Sequence, residues 1–379
     1  MSLPLARVVE LLSELSPLRY AEEWDNVGLL LGVAKAGPAA PAVTRALFAI
    51  DLTEAVLEEA LARHVELVVA YHPPIFTPLR KLDGTAPSGT LLRAAAARIA
   101  IYSPHTALDA APEGVNDWLA AGVGSGSTAP LVDAAVRSPG AELKLVTFVP
   151  PEHTETLRAA LAQAGAGVIG EYENCSSQSP ATGTFRGSDA TNPAVGAAGR
   201  LETVVETRLE MVCPKHALGA VARVMRDVHP YEEPAWDVYA LAPRPAPDFG
   251  MGRSVELAEQ TSLGTLVERL KLHLGRASLR VAASPAHRAG GPVRRVAVCA
   301  GSGKAVFERA PGFDVYVTGE LGHHAVLAHL AAGSSVILAE HSSTERGYLP
   351  TYAARLAERC EGAIETFVAE TCREPLETW

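Results

Sequence analysis

The sequence predicts an α/β protein in which one α/β domain, split in sequence, carries an inserted ferredoxin-like α+β domain. Three observations predict it. Strands and helices alternate through residues 1 to 125, the mark of βαβ units on a mainly parallel sheet. The middle of the chain then runs strand, helix, strand, strand, helix, strand, the split-βαβ order. Finally the strand and helix alternation resumes and continues to the C-terminus. A chain of 379 residues exceeds what one hydrophobic core usually serves, and insertion at an exposed loop is the tolerated way to add a second.

The elements follow in order. The N-terminal MSLPLARVVELLSELSPL predicts an amphipathic helix with Leu5, Val8, Val9, Leu12 and Leu15 on one face. ALFAIDLT is a strand ending at Asp51, EAVLEEALARH a helix and ELVVA the next strand. SGTLLRAAAARI, AIYSP and VNDWLAAGV read as helix, strand and helix. The small-residue stretch GVGSGSTAP, residues 122 to 130, reads as a boundary. In the middle, KLVTFVP is a strand and EHTETLRAALAQAG a helix. A Gly/Ser/Thr/Asn-rich loop from Glu173 to Arg200 follows, then strand TVVETRLEMVCP, a helix from Lys215 to Asp227 and strand WDVYAL. RPAPDFGMG, residues 244 to 252, reads as the exit linker. LGTLVERLKLHL, RRVAVCAGSG, FDVYVTGE, LGHHAVLAHLAAG and SSVILAEH complete the second half as helix, strand, strand, helix and strand. The expected domains are residues 1–128 and 250–379 for the split domain and 140–243 for the insert.

Composition narrows the function. About half the residues are apolar, 20% are charged and the net charge is −10, which argues against the basic domain of a nucleic-acid binder. No apolar run approaches the ~20 residues that cross a bilayer, and the N-terminus lacks a signal-peptide layout. Five scattered cysteines without CxxC spacing suggest neither a disulfide framework nor a structural zinc knot. The expected setting is the cytoplasm.

Three apolar strands end in residues of metal-binding type. ELVVA runs into Tyr71-His72, held by two prolines that forbid an immediate helix. RIAIYSP runs into His105 with Asp109 four residues on, and SSVILAE into His341 with Glu345 four residues on. Parallel strands bring their carboxyl ends to one edge of a sheet, where open α/β folds place ligand crevices. Imidazole plus carboxylate without cysteine suits zinc, iron, manganese or nickel, and two of each suffice for a two-metal site. Each residue also has a plainer reading. His105, after a proline, either binds the metal or orients a ligand through its second nitrogen. Asp109 could be a helix cap, a role for which Asn116 is an equal candidate, and Glu345 a solvated first-turn acid. Of His323 and His324, one faces away from any cleft if the segment is helical.

Two other segments lose rank. CAGSGKAV resembles a phosphate loop, but Val298 stands at the required first glycine and Ala305 follows the lysine. HPYEEPAW, residues 229 to 236, reads as a rigid turn before a strand.

Taken together, WDNVGLLLG, ELVVAYHPPIF, SPHTALDAAPEGVNDWLA, HPYEEPAWDVY, GMGRSVEL, CAGSG, DVYVTGELGHH and ILAEHSSTERGYL resemble the GTP cyclohydrolase I type 2-like, or NIF-three-like, family. The match runs in order along nearly the whole chain. ENCSSQSPATGTFRGSDATNPAVG resembles the PII/CutA-like insert of the long members. The resemblance implies two divalent metal ions per subunit facing an interior cavity, in a homo-oligomer that is a hexameric ring. His72, Asp109, His341 and Glu345 would be ligands, with His105 close by. The family's usual bacterial pattern has two histidines before the proline, so Tyr71 stands where a further ligand is expected, and a phenol with a pKa near 10 is a poorer one. The resemblance does not fix the activity; the convergence of strand-end ligands leads to the expectation of metal-dependent hydrolysis of a nucleotide or a related small molecule, with Glu345 or Asp109 bridging and His105 and Glu345 as catalytic groups. The alternative is a metal-loaded scaffold or sensor whose insert binds a small ligand.

Overall fold

A computed structural model describes residues 2–34, 41–85, 88–136, 141–242 and 244–376. The chain divides into two compact units, Met1–Ala134 together with Ala246–Trp379, and Ala135–Pro245.

The first unit contains two large sheets. One has the order Glu365–Val368, Arg45–Ala49, Leu67–Ala70, Ala100–Ser103, Gly28–Leu31, with the first four strands parallel and the last antiparallel. The other has the order Arg280–Ala282, Ser335–Leu338, Val315–Glu320, Pro292–Ser302, Arg244–Ser262, Gly126–Val136, and its three middle strands Ser335–Leu338, Val315–Glu320 and Pro292–Ser302 are parallel. Every residue of Leu67–Ala70 and Ala100–Ser103 is buried, as expected of parallel strands covered on both faces. Phe48, Val69 and Ile101 of one sheet share a continuous core with Val298, Val317 and Ile337 of the other.

Local chemistry sets the helix ends. Thr53 caps Glu54–Ala62 by accepting from the Val56 N–H. Ser262 caps Leu263–Leu274 by accepting from Thr265, and Gly275 ends that helix in the left-handed conformation. Helix Leu5–Leu15 buries Leu5, Val8, Leu11, Leu12 and Leu15. Arg253, almost fully buried, pairs with Asp117 through Nε at 2.6 Å and Nη2 at 2.9 Å and donates to the carbonyls of Gly250, Gly252 and Ala111. Helix Val115–Ala121 is thereby tied to the strand Arg244–Ser262.

The second unit is a four-stranded antiparallel sheet in the order Trp236–Ala240, Leu143–Val149, Glu202–Cys213, Ser176–Phe185. Leu157, Leu161, Val221 and Met225 of its two helices pack with Leu145, Val149, Leu209 and Met211 of the sheet. Its element order is strand, helix, strand, strand, helix, strand, the split-βαβ arrangement.

Three stretches differ from the sequence reading. Residues 126–130 of the expected boundary begin the edge strand Gly126–Val136, and the expected exit linker begins the strand Arg244–Ser262. Within the expected loop from Glu173 to Arg200, Ser176–Phe185 is a strand paired along its length with Glu202–Cys213. Its side chains are small, polar and mostly exposed, so backbone pairing forms it without the apolar alternation that announces a strand.

Candidate metal centre

The strand ends position the site. Beyond Leu67–Ala70, Tyr71 and His72 keep pairing with the neighbouring strand, donating to the carbonyls of Ala49 and Ile50 at 2.8 and 2.9 Å. His72 is thus fixed before the prolines turn the chain away. Beyond Ser335–Leu338, Ala339 donates to Thr318, Glu340 turns the chain with φ of 67°, and His341 follows. The short helix Ser343–Arg346 then brings Glu345 back one turn later. The expectation of one sheet edge gives way to two: His72 comes from the five-stranded sheet and His341 from the six-stranded one.

These three side chains form one group, with candidate ligand atoms all within 4.8 Å of one another. Glu345 Oε1 lies 3.3 Å from His341 Nε2, and Glu345 Oε2 lies 3.4 Å from His72 Nε2. Both imidazoles have their other nitrogen on a carboxylate: His72 Nδ1 on Asp51 at 2.9 Å and His341 Nδ1 on Glu320 at 3.1 Å. This is the carboxylate–histidine arrangement that fixes the tautomer and aims Nε2 at a metal.

Charge in the group is strongly coupled. Burial works against a charged His72, yet Asp51 and Glu345 raise its pKa to about 10. Glu345 raises His341 to about 9 against the effect of burial. Burial would raise the Glu345 carboxyl, but the two imidazoles hold it below the usual range.

Asp109, on helix His105–Ala110, is also buried. Its Oδ1 accepts the hydroxyl of the buried Tyr71. Burial lifts Asp109 to about 6, partly countered by His105 and by the Tyr71 hydrogen bond. Burial and the nearby Asp109 push Tyr71 far above the ordinary phenol value. Tyr71 therefore stays protonated and serves Asp109 as a donor. Asn116 is no cap: fully buried, it donates to the Asp109 carbonyl at 3.0 Å and accepts from the Ala300 N–H at 2.8 Å. His105 has φ of 29° and its Nδ1 lies 2.8 Å from Asp25 Oδ1, while its ring centroid lies 5.5 Å from that of His72. His323 and His324 are exposed at the start of helix His323–Ala331. In HPYEEPAW, both ring nitrogens of His229 bond the backbone, at Phe148 and Tyr231, which is the rigid-turn role.

Does a cation fit? Glu345 Oε2 is buried with no hydrogen-bond partner among the described residues, a costly state unless something completes it. Gly301, with φ of 61°, closes one side: a Cβ there would stand 2.6 Å from Glu345 Oε1 and 3.0 Å from His341 Nε2. Two imidazoles and a carboxylate are a donor set for a first-row divalent ion and leave coordination positions open. The donors and the space fit. Sequence reasoning misses Asp51, Glu320, Asp25 and Gly301. Asp51 and Glu320 both stand at carboxyl ends of parallel strands, so the rule that finds the histidines also finds them.

Comparisons with known proteins concern the chain as a whole. A family model for Duf34/NIF3 (NGG1p interacting factor 3) matches residues 3–375. NIF3-like protein 1 of Rattus norvegicus is 36% identical over 98% of this chain and 92% of its own length. GTP cyclohydrolase 1 type 2 homolog of Bacillus subtilis is 34% identical over 97% of each chain. Among solved structures, a Bacillus cereus protein related to NIF3 is 31% identical, with a TM-score of 0.63 and 98% of both chains covered. Staphylococcus aureus protein SA1388, at 24% identity and a TM-score of 0.70 over 100% of this chain and 99% of its own, shares the fold. With a family model spanning almost every residue and relatives matched end to end, the chain belongs to the Duf34/NIF3 family.

Proposed function

We propose that this protein is a metal-dependent hydrolase that holds two divalent ions per subunit and acts on a nucleotide or a related phosphorylated or heterocyclic compound. The observation that carries the reading is Glu345, a buried carboxylate faced by the Nε2 atoms of two histidines and with one oxygen lacking a hydrogen bond. His72, His341 and Glu345 would hold one ion, and Asp109, with Glu345 shared, a second. When bound, such ions supply Lewis acidity and lower the pKa of a water molecule toward neutrality. Asp51 and Glu320 keep the two imidazoles oriented. His105, steadied by Asp25, stands near His72 as the group that moves a proton to or from the substrate. The name of the Bacillus subtilis relative supports a nucleotide substrate. A hexameric ring, a cytoplasmic setting and PII/CutA kinship of residues 140–243 belong to the same proposal; the split-βαβ strand order supports the last.

The test compares metal-loaded wild-type protein with His341→Ala on GTP and a panel of nucleotides, with metal content measured alongside. Turnover and metal should be lost together in the variant. Absence of turnover by fully loaded wild type on the whole panel overturns the hydrolase reading.

A further inference from the structure

The second unit contains a cavity of about 480 Å³ that the metal centre does not explain. It lies on the sheet face away from the helices. In strand Glu202–Cys213, Leu209, Met211 and Cys213 pack in the helix-covered core, so the two-residue alternation turns Val204 and Glu206 to the opposite face. Both line the cavity with Phe148, and the stretch Arg186–Val195 and the turn Tyr231–Ala235 wall it.

Two polar groups in it are neighbours with no cation paired to them among the described residues. Glu206 is only 8% exposed, and no described cation pairs with its carboxylate. Arg186, at the cavity wall, donates through Nε to the Gly199 carbonyl, and Arg208 pairs with Glu210. The Tyr231 hydroxyl is buried without a hydrogen-bond partner. Burial and the adjacent Glu206 charge together push its pKa upward. Gly183 makes room: a Cβ there would stand 2.2 Å from Glu206 Oε2. A carboxylate this buried with no counter-cation is unfavourable unless a ligand completes it.

We infer that this cavity is a binding site for a small planar molecule that presents an amidine- or guanidine-type nitrogen edge to Glu206. Two adjacent N–H donors in one plane match a carboxylate bidentately. Phe148, Val204, Pro193 and Val195 provide apolar walls for a flat ring, the usual composition of small-molecule sites. The site stands independently of the metal centre.

Calorimetric titration of the full chain with guanosine, benzamidine and inosine tests it. Guanosine presents the ring N–H and 2-amino donors, benzamidine the bare amidinium, and inosine lacks the amino group. Guanosine or benzamidine should bind, with inosine at least tenfold weaker, because sites built around a donor reject its absence. Binding of guanosine alone assigns a nucleobase, and binding of benzamidine as well assigns the nitrogen edge itself. Glu206→Gln should weaken binding at least tenfold, while His341→Ala should leave it intact, which separates this site from any nucleotide binding at the metal centre. If Glu206→Gln does not fold, Val195→Trp, filling the cavity from an exposed position, must abolish binding. No binding by either probe, equal binding of inosine, insensitivity to the cavity variants or loss in His341→Ala each overturns the inference.

Discussion

The Tyr71 hydroxyl donates its hydrogen bond to Asp109 Oδ1, and both side chains are buried. Tyr71 is therefore a donor that ties down a buried carboxylate. Tyr71→Phe leaves that oxygen without its donor, so stability should fall by about 1–3 kcal/mol. Metal held by His72, His341 and Glu345 should persist. Denaturant unfolding and metal analysis of the same samples check both halves; loss of all metal with stability unchanged would reverse this assignment.

Tyr71→His restores an imidazole at the same strand end. Metal content per chain should rise relative to wild type when both are purified without chelator. Equal ratios would mean that the tyrosine does not limit occupancy.

In metal-free protein, the folded-state pKa values of His72 and His341, about 10 and about 9, lie above the ordinary 6.5. Protonation therefore favours the fold. This contribution is complete below pH 6.5 and disappears as pH rises through 9 to 10. The melting temperature of chelator-treated protein should fall across that interval, while stabilisation by added Zn²⁺ should grow from near neutral pH upward, because the ion competes with protons for both rings. A chelated melting temperature flat from about pH 7 to 10 would contradict the coupling.

Gly301→Ala places a Cβ at 2.6 Å from Glu345 Oε1, on a backbone with φ of 61°. The left-handed conformation costs about 1–2 kcal/mol for a residue with a Cβ, a modest loss of stability. Metal affinity should fall more than tenfold, since the carboxylate and His341 must shift. Competition with a fluorescent chelator reads the affinity, and an unchanged value would show that the glycine serves only its turn.

Arg253→Ala removes the partner of Asp117 and the bonds to backbone carbonyls, those of Gly250, Gly252 and Ala111 among them, at once. Breaking a fully buried pair from one side costs about 3–5 kcal/mol, and the partly exposed Asp117 carboxylate keeps the loss at the low end of that range. The unfolding midpoint should drop accordingly with the denaturant slope unchanged; a loss under about 1 kcal/mol would mean that the pair is screened like a surface one.

Strand ends were the legible part. His72, Asp109, His341 and Glu345 follow from apolar runs that stop in polar residues, and three of them, His72, His341 and Glu345, form one group in the fold. The partition of these ends between two sheets has no sequence signature, since nothing in ELVVA or SSVILA says which neighbours it pairs with. Asp51 and Glu320 escape notice because their work is on the far nitrogen of each imidazole, visible only once the rings are oriented. The strand Ser176–Phe185 escapes for a different reason. Its sequence, SSQSPATGTF, lacks an apolar face, so its pairing with Glu202–Cys213 shows only in the backbone.

His72 precedes the Ala135–Pro245 unit in the chain, whereas His341 and Glu345 follow it. During synthesis the first imidazole emerges long before its companions, and the inserted unit must leave the ribosome before the group can close. A chain stopped after the inserted unit but before His341 keeps only His72 of the three. Closure of this group therefore waits on translation through Glu345, and a copy ended before His341 lacks two of its three side chains.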